Sequence, residues 1–266
     1  MYEEYSKNKQ TYRDLEKRYK IGRKTIRKSF DNHQKVTGEL IIPDRPVPLV
    51  MDAFFFSRSI GCLVFRAQGK NLYWLEIQGE KICYYRQGLE ILIASDAYFS
   101  SFTIDGRRGV MQLLLELFPL TPIQFCQFHQ ELIVTRYISR KSKLEAGKEI
   151  YQLTRSLTRT TRNEFTDKLT EWKLKWDEFL HEKSLDQSKR GWHYTHERLW
   201  SAYRSILTNL PYLFTYLDHP ALSIPNTTNS CDGYFAHLKQ RIKIHRGITH
   251  DRRKQMLDYF LENGLI

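Results

Sequence analysis

The chain has 266 residues, 41% of them hydrophobic and 14% aromatic, which is enough to bury a sizeable core with a small appendage and excludes a disordered or fibrous protein. Its 42 Lys and Arg against 30 Asp and Glu give a formal charge of +12, so nucleic acid is the first partner to consider, although charge says nothing about catalysis. The four cysteines, Cys62, Cys83, Cys126 and Cys231, form no C-x-x-C, the start MYEEYSKNKQ lacks the apolar core of a signal peptide, and no apolar run reaches the roughly 18 residues of a membrane span. The expectation is a protein of a reducing cytoplasm with no membrane partner.

Residues 1–31 read as helix, tight turn, helix, with Tyr12, Leu15, Tyr19, Ile21, Ile26 and Phe30 at helical spacing around Gly22. Thr11 is placed to cap the first helix, with Asp14 three residues on, and Gly22 is the expected sharp turn. The second helix carries Arg23, Lys24, Arg27 and Lys28, the cations that a helix-turn-helix needs against phosphates. A small basic pair packed on the main domain is the plainer alternative. Residues 32–48 read as a linker that ends in the proline-rich IIPDRPVPL, and a second domain is expected over 49–266.

In that domain LVMDAFFF predicts a buried strand interrupted by Asp52. CLVFR and LYWLEI follow as strands joined through the polar turn AQGKN as a hairpin. Ile82, Tyr85, Leu89 and Leu92 share a helical stripe, AYFSSFTIDG returns to strand and ends at Asp105, and RRGVMQLLLELF is an amphipathic helix. PIQFCQFH is the fifth strand candidate, carrying Cys126 and His129. The stretch 130–220 is helical and charged, an insertion with Trp172, Trp176 and Trp200 as core pieces. After it, Cys231, Phe235, Leu238 and Ile242 recur on one stripe of a final helix, and Asp232 lies off that stripe.

Three carboxylates therefore stand at element ends far apart in sequence. Buried without a partner, an aspartate inside LVMDAFFF costs several kcal/mol, so a metal, a cation or solvent must meet it. A strand-end aspartate that caps a turn or pairs with arginine answers the same demand. A basic protein that gathers carboxylates suits phosphodiester chemistry, in which divalent cations on hard oxygen ligands activate water and stabilise the leaving oxygen. Lys239, Arg241, Lys243, His245 and Arg246 form a basic run beyond Asp232 that suits phosphate contacts, with a solvated helix face as the alternative. HYTHE at His193 to Glu197 matches neither H-E-x-x-H nor its inverse and reads as a solvated helix start.

From Asp52 through DGRRG at Asp105 and CQFH at Cys126 to His129, and on to NTTNSCDGYFAHLKQRIKIHRG, the chain resembles the Mutator-like DDE transposases of bacterial insertion sequences over nearly its whole length. The resemblance implies an α/β fold with an RNase H-like mixed sheet and a helical insertion before the third acid, preceded by the small all-α helix-turn-helix. It implies cleavage and strand transfer supported by Mg2+ or Mn2+, with double-stranded DNA at transposon ends and target as partner, and a homodimer or higher assembly on DNA in the bacterial cytoplasm. Mapped residue by residue, the first and second acids are Asp52 and Asp105, and the third, usually glutamate, falls on Asp232. Cys126 and His129 match a C-x-x-H beside the core, with zinc ligation and a structural role both open. Relatives often carry a zinc ribbon ahead of the helix-turn-helix, whereas this sequence starts at MYEEY. Two alternatives stand beside an active transposase: a transposase-derived DNA-binding protein without catalysis, and an RNase H-like nuclease without strand transfer.

Overall fold

The computed structural model describes residues 1–6, 8, 10–31, 40–56, 60–185, 191–245 and 249–263, without the side chains at 6, 31, 230–234, 237, 241, 242 and 263. In chain order the elements are α1 (Tyr2–Ser6), α2 (Tyr12–Tyr19), α3 (Arg23–Asp31), β1 (Val47–Phe55), β2 (Gly61–Ala67), β3 (Lys70–Ile77), α4 (Ile82–Ala94), β4 (Phe99–Ile104), α5 (Arg108–Leu117) and β5 (Ile123–Phe125). They continue as α6 (Gln127–Tyr137), α7 (Glu145–Arg155), α8 (Arg162–Lys175), α9 (Asp177–His181), β6 (Lys183–Leu185), β7 (Trp192–Tyr194), α10 (Glu197–Leu213), α11 (Thr215–Asp218), α12 (Asn229–Ile244) and α13 (His250–Asn263). The protein is mixed α/β, with a five-stranded sheet in the order β3-β2-β1-β4-β5. β1, β4 and β5 run parallel, and β2 and β3 form an antiparallel pair.

The chain forms two compact units, one of residues 1–45, 52–98 and 229–266, the other of 46–51 and 99–228. In the first, the two helices read from residues 1–31 are α2 and α3. Thr11 and Asp14 make a reciprocal capping box, Thr11 Oγ1 accepting from the Asp14 N–H at 3.3 Å and the Asp14 carboxylate accepting from the Thr11 N–H at 2.8 Å, an arrangement worth about 1 kcal/mol. The left-handed residue of the turn is Lys20, with φ 54°, and not the expected Gly22. Gly22 instead starts α3, its carbonyl accepting from the Thr25 and Ile26 N–H groups. Leu15, Ile26 and Phe30 are buried in one cluster with Tyr2 and Tyr5 of α1, and Tyr259 of α13 packs against it. The Tyr2 ring meets those of Phe30 and Tyr259 edge-on at 5.2 and 5.3 Å, so the N-terminal helices share a core with α13.

The expected hairpin is β2 and β3, closed by Gln68 and Gly69 at φ 49° and 77°, the two positive values that a two-residue turn of primed type requires. α13 covers β3: Asn71 donates to the Leu261 carbonyl at 2.7 Å and the Trp74 indole to Asp258 at 3.0 Å. Burial pushes the Asp258 carboxyl above its usual range, against the bond from Trp74. This helix was not expected, because the buried stripe of α12 was read as the last element.

The second unit is built on the parallel strands, with register Leu49↔Phe102, Val50↔Thr103 and Ile104↔Phe125. The fifth strand is shorter than expected, ending at Phe125, so Cys126 caps α6 and His129 lies in its first turn. Gln124, Gln127 and Gln130, spaced by three and all buried, then fasten this segment to α10. Gln124 and Gln127 each donate to the Leu213 carbonyl, at 2.9 and 2.8 Å, and Asn209 donates to Gln130 at 2.7 Å. The C-terminal carbonyls of a helix lack intrahelical partners, and these amides supply them. The insertion is helical as expected, and Trp172 is buried, its indole donating to the Ala146 carbonyl at 3.1 Å. It also contains an unexpected hairpin, β6–β7, with Leu185 opposite Trp192.

Candidate active site

Asp52 sits on β1 and is 7% exposed, an acidic side chain between Met51 and Phe54, which are also buried. Its Oδ1 accepts the Ala53 N–H at 2.9 Å. Asp105 follows the last residue of β4, and its Oδ1 accepts the Arg107 N–H at 3.1 Å, a turn eased by Gly106 at φ 86°. The parallel pairing of β1 with β4 ends at Val50 and Thr103, and Asp52 and Asp105 each lie two residues beyond that pair in their own segments. Asp232 falls in the first turn of α12; its side chain lies outside the described residues. Among the described residues no group of three or more His, Cys, Asp or Glu gathers as a metal site.

Directly after Asp105, Arg108 is tied down on its own unit. Its guanidinium donates to the Thr208 carbonyl and to Asn209 Oδ1, both at 2.9 Å, and lies over the rings of Phe125 and Tyr212. Of the two arginines in DGRRG, this one anchors the start of α5.

Cys126 and His129 come together with a residue the sequence reading did not single out, Thr228. Cys126, 1% exposed, accepts N–H groups through Sγ from His129 at 3.5 Å and Thr228 at 3.2 Å. The Thr228 hydroxyl lies 3.5 Å from that sulfur and 3.3 Å from His129 Nδ1. The thiol therefore acts as a helix cap that also fixes the segment leading into α12. A zinc shell takes four donors and the C-x-x-H pair supplies two, so the arrangement fits a structural clasp. The signal for Thr228 lay in NTTN just ahead of Asp232, where a run of capping residues precedes a helix.

The basic residues differ in exposure and in what they contact. Arg23, Lys24, Arg27 and Lys28 are all exposed on α3, opposite the buried Ile26 and Phe30, with Arg23 bound to Glu16 at 2.8 Å and Arg27 over the Tyr12 ring. Lys239 and Lys243 of α12 are exposed, the Arg241 side chain and Arg246 lie outside the described residues, and His245 is buried. The His245 ring lies 4.0 Å from that of Tyr5, tilted by 37°, and its Nε2 lies 3.0 Å from the Tyr5 carbonyl. A carbonyl only accepts, so Nε2 carries the proton and Nδ1 titrates.

Burial pushes the His245 imidazole below its usual 6.5, against the raising effect of the Tyr5 bond. The folded state therefore prefers the neutral ring, and the unfolded chain binds the proton more readily. Stability from this site is present above about pH 6.5 and is lost as pH falls through that value toward the depressed folded pKa. Denaturation midpoints across pH 5 to 8 are expected to fall more steeply on the acid side in the parent than in His245→Gln, which keeps the donor; superimposable slopes refute the assignment.

No helix among the described residues is long and apolar enough to cross a membrane. No family model matches the chain, and no curated protein does.

Proposed function

We propose that the chain is a DDE-type transposase that cuts and joins DNA, built on an RNase H-like domain behind a DNA-binding helix-turn-helix. The observation that carries the reading is the position of Asp52 and Asp105 on the sheet. The chain fills the sheet outward from β1 in one direction through β2 and β3, and in the other through β4 and β5, so the order reverses between β1 and β4. In open α/β sheets ligands gather beyond the carboxyl ends of the strands at such a reversal. Asp52 lies in the carboxyl half of β1 and Asp105 just past the carboxyl end of β4.

The donor set suits Mg2+ or Mn2+: carboxylate oxygens are hard ligands, and a charge as buried as Asp52 is stabilised by a cation. Asp52 and Asp105 would hold it, with Asp232 of α12 as the third acid. A bound divalent cation supplies Lewis-acid activation and offsets charge on the leaving oxygen. Water attacks phosphorus at the element end and the bond to the 3′ oxygen breaks; the freed 3′-hydroxyl then attacks a target phosphorus and displaces the target's 3′ oxygen. One P–O bond forms for each that breaks, and no covalent protein intermediate is needed. The exposed cations of α3 are placed to hold phosphates of duplex DNA, with sequence read by the same helix in the major groove.

The test is an Mg2+-dependent assay on the DNA flanking the gene, with cleavage and joining followed separately, in the parent and in Asp232→Asn. Loss of both in the variant supports a working transposase with Asp232 as an acid. Cleavage without joining favours the nuclease, and DNA binding with neither activity in the parent favours the non-catalytic descendant.

A further inference from the structure

The helical part of the second unit holds a cavity of about 670 Å3, lined by the segments 137–144 and 193–199. Its size lies within the roughly 300–1,000 Å3 of small-ligand sites. Tyr137, Lys141, Lys143, His193, Tyr194 and Arg198 line it, and Glu197 is the sole carboxylate among the lining residues. Lys141 and Lys143 are exposed, and neither forms an ion pair with a described residue. Arg198 is held in place, donating to the Arg136 carbonyl at 2.7 Å. His196 belongs to the wall: its Nε2 sits 3.0 Å from Glu182 and its ring stacks on Phe179 at 3.7 Å.

The lysines stand on an ordered loop. Ser139 Oγ accepts the Lys141 N–H and Ser142 Oγ the Leu144 N–H, each at 3.2 Å. The loop folds down on α7 because residue 147 is glycine: a Cβ there would meet Ser142 Oγ at 2.3 Å. The same lining carries two aromatic groups with exposed surface, Tyr137 and Tyr194 at 37% each, and Lys183 Nζ lies 5.5 Å from the Tyr194 ring. Outside the lining, the cross-strand partners Leu185 and Trp192 of β6 and β7 are 63% and 69% exposed. Unpaired cations beside exposed rings are the composition that binds single-stranded nucleic acid, phosphates on the cations and bases on the rings.

Resting on the reading of the chain as a DNA enzyme, we propose that this cavity takes one nucleotide unit of single-stranded DNA, with its phosphate between Lys141 and Lys143 and its base against Tyr137 and Tyr194. The cavity is too small to enclose a duplex. The Leu185–Trp192 surface provides for neighbouring nucleotides, which a free phosphorylated metabolite lacks.

The test uses the full chain in EDTA, so that it needs no catalysis, and a short labelled oligothymidine followed by fluorescence anisotropy over a range of salt. Lys141→Glu/Lys143→Glu is expected to bind about tenfold or more weakly, and the slope of log K against log salt is expected to be shallower by about 1.4, from two contacts at about 0.7 each. Tyr194→Ala is expected to bind roughly tenfold more weakly with an unchanged slope, because it removes stacking and no charge. Arg159→Glu/Lys168→Glu, an equal charge reversal at exposed positions elsewhere on the same unit, controls for the general field. An oligonucleotide carrying a photoreactive base is expected to cross-link within 137–144 or 192–199. Binding by the double variant equal to that of the control, cross-links only elsewhere, or competition by thymidine monophosphate or inorganic phosphate as strong as by the oligonucleotide overturns the proposal. A chain that fails to cut DNA but binds through this cavity refutes only the catalytic reading; one that cuts DNA and binds oligothymidine independently of Lys141 and Lys143 refutes only this one.

Discussion

Asp52→Asn is expected to abolish cleavage and joining, by at least about a thousandfold, equal to about 4 kcal/mol of barrier, while DNA binding in EDTA stays within about twofold of the parent. The substitution conserves shape and keeps an oxygen for the Ala53 N–H. What it removes is charge. On a side chain 7% exposed, that charge is costly to bury, so the asparagine protein is expected to melt at the same temperature as the parent or a few degrees higher in the absence of metal. The opposite pattern, a lower melting temperature with retained DNA cutting, marks Asp52 as the partner of a structural cation contact and sinks the catalytic reading. Adding Mg2+ sharpens the contrast, because a site that binds the cation raises the melting temperature of the parent and not of the variant.

Gly88→Ala is expected to destabilise the protein by about 1–3 kcal/mol, a fall in melting temperature of several degrees. Two effects oppose each other. Alanine in the middle of α4 gains about 1 kcal/mol in helix propensity over glycine. Its Cβ, however, would stand 2.2 Å from Cζ and 2.3 Å from Cε2 of Phe65, with Leu75 Cδ2 at 3.2 Å. Phe65 is fully buried on β2, so the ring has no solvent side to move toward and the overpacking wins. Phe65→Leu costs stability on its own through lost volume, but in the Gly88→Ala background it is expected to cost less, a coupling that thermal melts of the four proteins measure. Strictly additive losses contradict this packing.

The sheet was readable because its strands announce themselves in short apolar runs with polar turns between, and Gln68–Gly69 carries the turn chemistry of a two-residue hairpin. Thr11 and Asp14 were readable for the same local reason. α13 was harder: in HDRRKQMLDYFLEN the buried Met256, Leu257, Phe260 and Leu261 follow a run of four charged residues, Asp251 to Lys254, and are flanked by Asp258 and Glu262, so the apolar face shows only against β3 and the N-terminal helices. PIQFCQFH reads as a strand because Ile123 and Phe125 flank Gln124 in alternation within a short, aromatic-rich run. The glutamines that break that alternation in space are buried to hold Leu213, a contact 86 residues away from Gln127, and no local pattern encodes it. The carboxylates were legible as residues but not as an arrangement. Asp52 stands out because a charge interrupts an apolar run, whereas the pairing of β1 with β4 depends on a register between strands separated by the whole β2–β3–α4 segment. His245 reads as one more cation in a basic run; its burial against Tyr5 depends on a helix at the other end of the sequence.

The threading of the two units has a consequence for how the protein is made. Residues 99–228 lie in one unit as a single stretch and need only 46–51 from earlier in the chain, whereas the other unit needs 1–45, 52–98 and 229–266. On the ribosome the first of these can complete its contacts while 229–266 are still being added. The N-terminal helices, translated first, must wait for Tyr259 and His245 before the cluster around Tyr2, Tyr5 and Phe30 closes. Contacts of such long sequence separation form late and slowly. A product released early by the ribosome therefore carries its basic helix pair without the support of α13, and a newly made chain finishes its first-synthesised segment last.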